Sequence, residues 1–367
     1  MASSAVVVGA GVLGSSVADR LARSGWAVTH VEQLAPGHVR SGSGDESRLI
    51  RASHGADPLH ARMSRRALEL WLELDPRLVA RAGVAWMARS ADGWEADSER
   101  VLTQLGIPNE RVDPRDLFPS VRVDDLAFTL FEPEAGILHA RVGVRALADR
   151  AVAAGAERVV AVARPDGPRV VLDDGRVLEA DVVVWACGAW MPGLFGDLLD
   201  LRITQQDVFY FAAGGRWATP DVPGWVDYDG AAYGLGDLDG RGVKVAPDVD
   251  GPPFDAQTGE RRVHPEHERF ARSYLAHRFP ALAGAPLVGA RVCQYEITPD
   301  TWFIAAPHPE HDGRVWLLGG GSGHAFKHGP ALAERLERWI LGAEAPEPRF
   351  GLGARGRDTS LRTVGEA

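Results

Sequence analysis

The sequence predicts a mixed α/β fold, with one helix-flanked parallel sheet and a second, antiparallel sheet interleaved with it along the chain. Three observations carry this. Residues 5–32 read as strand, tight turn, helix and strand. Two later apolar runs end in glycine, as buried parallel strands do. Residues 201–290 change to alternating strands with turn-rich links.

Taken in order, Ala5 to Val8 is a continuous apolar run. Val17, Ala18, Leu21 and Ala22 then recur at helical spacing, Gly25 closes the helix, and Val28 to Glu32 returns as a strand. Residues 57–81 are expected to be helical, on the apolar face of Leu59, Met63, Leu68, Leu70, Trp71 and Leu74. A mixed region with the turn Phe131-Glu132-Pro133-Glu134-Ala135-Gly136 leads to a helix over Val142 to Ala153. A hairpin signal, Asp173-Asp174-Gly175, follows within Arg169 to Leu178. Asp181 to Ala186 is a buried strand ending at Gly188. Val315 to Leu318 is another, followed by a glycine loop and a helix from Pro330 to Leu341, where proline suits the first turn. Beyond Glu344 the chain is rich in Pro, Gly and Arg and reads as an extended or disordered tail.

Composition narrows the function. At 367 residues the chain fits two domains, and 45% hydrophobic with 25% charged residues is ordinary for a globular protein. The net charge of −10 argues against a nucleic-acid partner, which needs clustered Lys and Arg. No apolar run reaches the ~18–20 residues that span a bilayer. Met1-Ala2-Ser3-Ser4 has no basic segment of a signal peptide, and Gly365-Glu366-Ala367 is no peroxisomal tripeptide. Two cysteines, Cys187 and Cys293, make no disulfide framework, so a cytoplasmic protein is expected.

The strongest local signal is Val6-Val7-Val8-Gly9-Ala10-Gly11-Val12-Leu13-Gly14, a glycine fingerprint between a strand and a helix, with Glu32 about 20 residues on. This is the Rossmann pattern. Gly9 permits the tight turn, Gly11 lets the backbone approach a pyrophosphate, Gly14 lets helix and strand pack closely, and Glu32 accepts hydrogen bonds from a ribose. NAD and FAD both bind in this way.

Two further segments favour FAD. They are Arg291-Val292-Cys293-Gln294-Tyr295-Glu296-Ile297-Thr298-Pro299-Asp300 and Gly319-Gly320-Gly321-Ser322-Gly323-His324-Ala325-Phe326-Lys327. With the fingerprint, and with Ser47-Arg48-Leu49-Ile50-Arg51, Cys187-Gly188-Ala189-Trp190 and Gly242-Val243-Lys244-Val245, they resemble the monomeric sarcosine oxidase and N-methyltryptophan oxidase family. The resemblance runs over most of the chain. It implies a Rossmann-like FAD-binding domain over 1–80, 140–200 and 291–344, a substrate domain over 81–139 and 201–290, and a tail over 345–367. It also implies a monomer that oxidises a small amine with O2 and holds FAD through a thioether to Cys293. Gly188, Gly321 and Gly323 would line the cofactor, Arg51, Lys327 and Tyr233 would bind substrate, and Lys244 and Arg48 would flank the flavin ring, Lys244 activating oxygen.

Departures from the family pattern bear on the substrate. Ser41-Gly42-Ser43-Gly44-Asp45-Glu46 lacks the family's histidines, Ala325 replaces a glycine, and Asp248 stands where sarcosine oxidases carry a histidine. A cyclic imino acid oxidase of nikkomycin biosynthesis also carries aspartate there, while Pro247-Asp248-Val249-Asp250-Gly251 also reads as a simple turn. Asp248, Tyr295 or a water is left to deprotonate the incoming amine. His264-Pro265-Glu266-His267 and His308-Pro309-Glu310-His311 read as exposed turns, and no metal is expected. Trp302 suits either the cavity wall or the core. The reading is an FAD-dependent oxidase of a carboxylate-bearing secondary or cyclic amine. A dehydrogenase using an electron carrier and a non-catalytic flavin sensor are the alternatives.

Overall fold

The computed structural model describes residues 3–357. Six strands form the sheet to which the glycine fingerprint belongs, in the order Ile304–Pro307, Val315–Gly319, Val182–Trp185, Ser4–Val8, Ala27–Glu32, Glu157–Val160. Neighbours are parallel except Ile304–Pro307, which runs antiparallel to Val315–Gly319. Burial on both faces explains the continuous apolar runs. The helices Val12–Arg23, Ala140–Ala153 and Gly329–Ile340 cover one face through Val17, Leu21, Val144, Leu147 and Leu336. The small antiparallel sheet of Ala163–Asp166, Arg169–Leu172 and Val177–Glu179 covers the other, setting Val170 and Leu172 against Val6 and Val8.

The second sheet has eight strands, in the order Leu287–Ile297, Arg202–Phe211, Val243–Pro247, Ala232–Leu235, Gly224–Asp227, Val84–Ala88, Phe128–Glu132, Glu110–Val112. It is antiparallel apart from the pair Gly224–Asp227 and Val84–Ala88. Its longest pairing sets Cys293 opposite Gln206, so the cysteine stands on this sheet and not on the parallel one. A third, three-stranded sheet joins Ser47–Ile50, Gly136–His139 and Val79–Ala80 and carries Arg48.

Residues 291–297, expected in the FAD-binding domain, thus belong to the second sheet, and the structure departs from the sequence expectations at three further places in the fold. The helix expected over 57–81 is Pro58–Leu74, because Asp75 and Pro76 start a new 3-10 turn that passes into Val79–Ala80. Residues 265–278, expected among strands and turns, form the helix Pro265–Arg278. Pro265 at its first position and Glu266 and Glu268 in its first turn are helix-start signals, but only Ala271, Tyr274 and Leu275 with Phe279 supply an apolar face. The expected tail is ordered as far as residue 357. Phe350 is fully buried against His60, Trp302 and Phe303, and Arg355 bonds Asp300 and the carbonyls of Trp302, Phe303 and Gly351. The rest of that segment lies outside the described residues. No helix among the described residues is long and apolar enough to cross a membrane.

Candidate active site

A cavity of about 300 Å³ opens where the strands Ser4–Val8 and Val182–Trp185 end, the position at which open α/β sheets bind ligands. Gly11, Glu32, Gly188, Glu296, Gly321 and Gly323 line it. The glycines have steric reasons. Gly9 turns at φ 102°, and a Cβ there would lie 2.4 Å from the carbonyl oxygen of Ala186. A Cβ on Gly14 would lie 1.9 Å from the carbonyl oxygen of Gly9, so only glycine lets the helix start this close to the strand. Glu32 accepts from the amides of Ala10 at 2.6 Å and Leu34 at 3.0 Å, which fixes its carboxylate at the strand end.

A smaller cavity adjoins the first and shares Arg48, Tyr295, Gly323 and Phe326 with it. Arg51, Lys327, Tyr233, Asp248, Cys293 and His324 also line it. Expected substrate groups from distant segments therefore meet. Arg51 lies over the Trp86 ring, 5.0 Å from its centre, and donates to the carbonyl of Ser53. Glu132 holds the backbone that follows Arg51. Its carboxylate accepts from Ala52 N at 2.7 Å, Ser53 N at 3.2 Å, Ser53 Oγ at 2.6 Å and Trp86 Nε1 at 2.8 Å. Lys327 donates to the carbonyl of His324 at 2.8 Å, and burial, with Arg51 adding repulsion, pulls its pKa well below the ordinary lysine value. Asp248 is 3% exposed, so it is a cavity carboxylate and not merely a turn residue. The Tyr233 and Tyr295 hydroxyls stand 3.4 Å apart.

Lys244 does not face either cavity. It is fully buried, and its Nζ meets Asp45 Oδ2 at 2.5 Å, Ser47 O at 3.2 Å and Ser47 Oγ at 3.3 Å. Arg48 stands in front, donating to Asp45 at 2.7 Å, Gly42 O at 2.8 Å and Cys293 Sγ at 3.6 Å. The lysine expected to point into the cavity is thus one layer behind its wall, with an aspartate as partner. Burial opposes charge on Asp45, but Lys244 and Arg48 hold it well below the usual carboxylate range. Trp302 belongs to the core, between His60, Phe350 and Arg349.

A family model described as "FAD dependent oxidoreductase" matches residues 4–339. The chain belongs to that family. Among FAD-dependent oxidoreductases it is similar to the monomeric sarcosine oxidase of Streptomyces avermitilis, at 29% identity over 94% of each chain. It is also similar to the N-methyl-L-tryptophan oxidase of Salmonella newport, at 25% identity over 92% of this chain and 94% of that one. Two solved structures share the fold. L-proline dehydrogenase from P. horikoshii has a TM-score of 0.82 at 19% identity, covering 95% of this chain and 96% of that one. NikD, an amino acid oxidase of nikkomycin biosynthesis, has 0.78 at 21%, covering 95% and 98%.

The larger cavity suits FAD, the cofactor of this family. Its helix-start end, at Gly11, Val12 and Leu13, suits a pyrophosphate. Further along, Glu296 Oε2 is buried with no hydrogen-bond partner among the described residues, and burial raises the carboxyl's pKa to about 7. A cofactor hydroxyl or amide would satisfy it. His54, His324 and His328 bring ring nitrogens within 4.8 Å of one another, a spacing that could hold a metal ion. Arg51 and Lys327 beside them oppose an added cation.

Asp45, Glu132, Tyr210 and Glu296 carry the site's polar architecture and were not singled out from sequence. One sequence signal did point here. The chain holds only two lysines against 38 arginines, and both, Lys244 and Lys327, are buried at this site.

Proposed function

We propose that this FAD-dependent oxidoreductase is an oxidase of the C–N bond in a carboxylate-bearing secondary or cyclic amine, with O2 as acceptor. One observation carries the reading: Arg51 and Lys327, 276 positions apart, line one small cavity beside the FAD-sized one. A small cavity lined by Arg48, Arg51 and Lys327 favours a carboxylate, Arg as a planar fork and Lys as a point donor. Of the candidates, Asp248 or a water is the group to receive the substrate's ammonium proton, because burial keeps the Tyr295 phenol protonated. When bound, FAD would accept a hydride equivalent from the carbon beside the deprotonated nitrogen, leaving the imine, and the two electrons with two protons would convert O2 to H2O2. Cys293 is the residue to hold it through sulfur, with Gly9, Gly11, Gly14, Glu32, Gly188, Gly321 and Gly323 along its length. Arg48 and Lys244, less Asp45, leave one net positive charge beside Cys293, which favours anionic character as oxygen is reduced.

Arg51→Ala tests the clamp. It should lose about 2–5 kcal/mol of interaction with a carboxylate substrate, much of it from a buried carboxylate left with Lys327 alone, while turnover of the methyl ester changes little. Equal turnover of the carboxylate by wild type and variant would remove the proposal. A second reading, a dehydrogenase using an electron carrier, is favoured by the position of Lys244 behind the cavity wall. Comparing O2 consumption with dye reduction separates the two.

A further inference from the structure

Asp45 lies in the loop before the strand Ser47–Ile50, where Gly44 lets the chain pack tightly: a Cβ there would be 2.2 Å from the carbonyl oxygen of His38. The aspartate is 2% exposed. Its Oδ1 accepts from the Tyr210 hydroxyl at 2.7 Å, and its Oδ2 accepts from Arg48 at 2.7 Å and Lys244 at 2.5 Å. Lys327 contrasts with this arrangement, having a carbonyl and no carboxylate as hydrogen-bond partner among the described residues.

We propose that Asp45 is a positioning residue that keeps Lys244 protonated and fixed behind Arg48, and so sets the positive charge beside Cys293 across the working pH range. The proposal rests on the oxidase reading only for what that charge is used for.

Among the described residues no second carboxylate is free to balance Lys244, and apart from Asp45 only Cys293, if ionised, would favour its charge. From its own loop Glu46 is taken by Arg141 at 2.8 Å, Arg291 at 3.0 Å and Arg241 at 3.5 Å. The strand Arg202–Phe211 presents Tyr210, Ala232–Leu235 presents Tyr233, and Leu287–Ile297 presents Arg291, Cys293 and Tyr295. Burial raises all three tyrosines above their ordinary value, so they stay neutral. Arg291 stands 3.7 Å from Asp45 and adds positive charge. With Asp45 neutral, Lys244 would keep only the Ser47 carbonyl and hydroxyl, against full burial and the Arg48 charge. Both forces favour the free amine.

Because the chain has two lysines, the experiment is direct. Holoenzyme labelled with 13Cε,15Nζ-lysine should give two side-chain signals, assigned with Lys327→Met. In wild type the Lys244 signal should be that of an ammonium at pH 7, with a midpoint that burial lowers below the ordinary lysine value. In Asp45→Asn its midpoint should fall by about two units, a ~100-fold change in the ammonium-to-amine ratio, and Asp45→Glu should restore it. Reoxidation of anaerobically reduced enzyme should be flat with pH in wild type and fall about tenfold per unit above the new midpoint in Asp45→Asn. Identical Lys244 titrations in wild type and Asp45→Asn would overturn the proposal. So would a neutral Lys244 in wild type at pH 7, a result that needs no variant. If Asp45→Asn fails to fold, folding of Asp45→Asn/Lys244→Met supports the pair, and failure of that double variant to fold overturns it. Wild-type-like reoxidation by Lys244→Met would defeat the oxygen role alone, because the lysine titration still decides the Asp45 assignment.

Discussion

Lys327 Nζ lies 2.8 Å from the carbonyl oxygen of His324, with Arg51, Glu132 and the imidazoles of His54, His60, His324 and His328 as its charged or titratable surroundings. Burial and Arg51 both disfavour its ammonium form, and a bound carboxylate favours it. Carboxylate binding should therefore take up a proton, and affinity should fall as pH rises above the depressed pKa of the free enzyme. Titration calorimetry with cyclopentanecarboxylate in buffers of different ionisation heat measures this. Heats independent of buffer would mean that Lys327 is already charged.

Glu132 satisfies four donors that have no other hydrogen-bond acceptor among the described residues. Glu132→Ala should strand them in the interior, at a cost of about 1–3 kcal/mol for each group that water cannot reach. Urea unfolding should show a midpoint well below wild type with the slope unchanged. A loss within about 0.5 kcal/mol, the range of ordinary surface substitutions, would show that water replaces the carboxylate.

Five buried histidines, His30, His54, His60, His324 and His328, have pKa values lowered by burial, His30 to about 4. The unfolded chain binds their protons below pH 6.5, so each contributes stability that is lost as pH falls from there towards its folded pKa. For His30 alone the loss down to pH 4 is about 3 kcal/mol. Glu95 and Glu296 act in the opposite direction, since burial raises both to about 7 and the folded state then binds the extra proton between pH 7 and 4.5. Five groups outweigh two. Stability of the apoprotein should therefore fall on acidification from pH 6.5 to 4.5, with an upper slope of about 4 kcal/mol per pH unit. Chemical unfolding across that range checks it, and a rising stability would reverse the balance.

Cys293 lines the smaller cavity, with its sulfur 3.6 Å from Nη2 of Arg48, a residue that both cavities share. Cys187 donates to the Val8 carbonyl at 3.5 Å, and burial pushes its thiol pKa up, which suppresses the thiolate. Acid-precipitated wild type should stay yellow, Cys187→Ser should match it, and Cys293→Ala should release flavin to the supernatant. Complete release from matured wild type would exclude the thioether.

What could be read from sequence follows the range of the forces involved. Gly9, Gly11 and Gly14 are legible because tight turns and close strand–helix packing are set within nine residues. Arg51, Lys327 and Cys293 are picked out only by the resemblance of their short segments to those of the family, and no local rule of spacing assigns their roles. Asp45 and Glu132 are not, because their partners lie 199 and 80 positions away and only the fold pairs them. Lys244 shows the same limit. Alternation on Val243–Pro247 fixes its strand, but whether it meets the cavity or Asp45 depends on a loop from another part of the chain. Phe350 was hidden by its Pro- and Gly-rich neighbours, which disguise a segment held by one buried ring and Arg355.

The most direct measurement is anaerobic mixing of the purified, flavin-loaded protein with N-methyl and cyclic amino acids and their methyl esters, followed by admission of air. The account predicts that at least one carboxylate-bearing amine bleaches the flavin absorbance much faster than its ester, and that air restores the colour with one H2O2 per amine oxidised. A flavin that no amine bleaches, or one bleached equally by acid and ester, would contradict it.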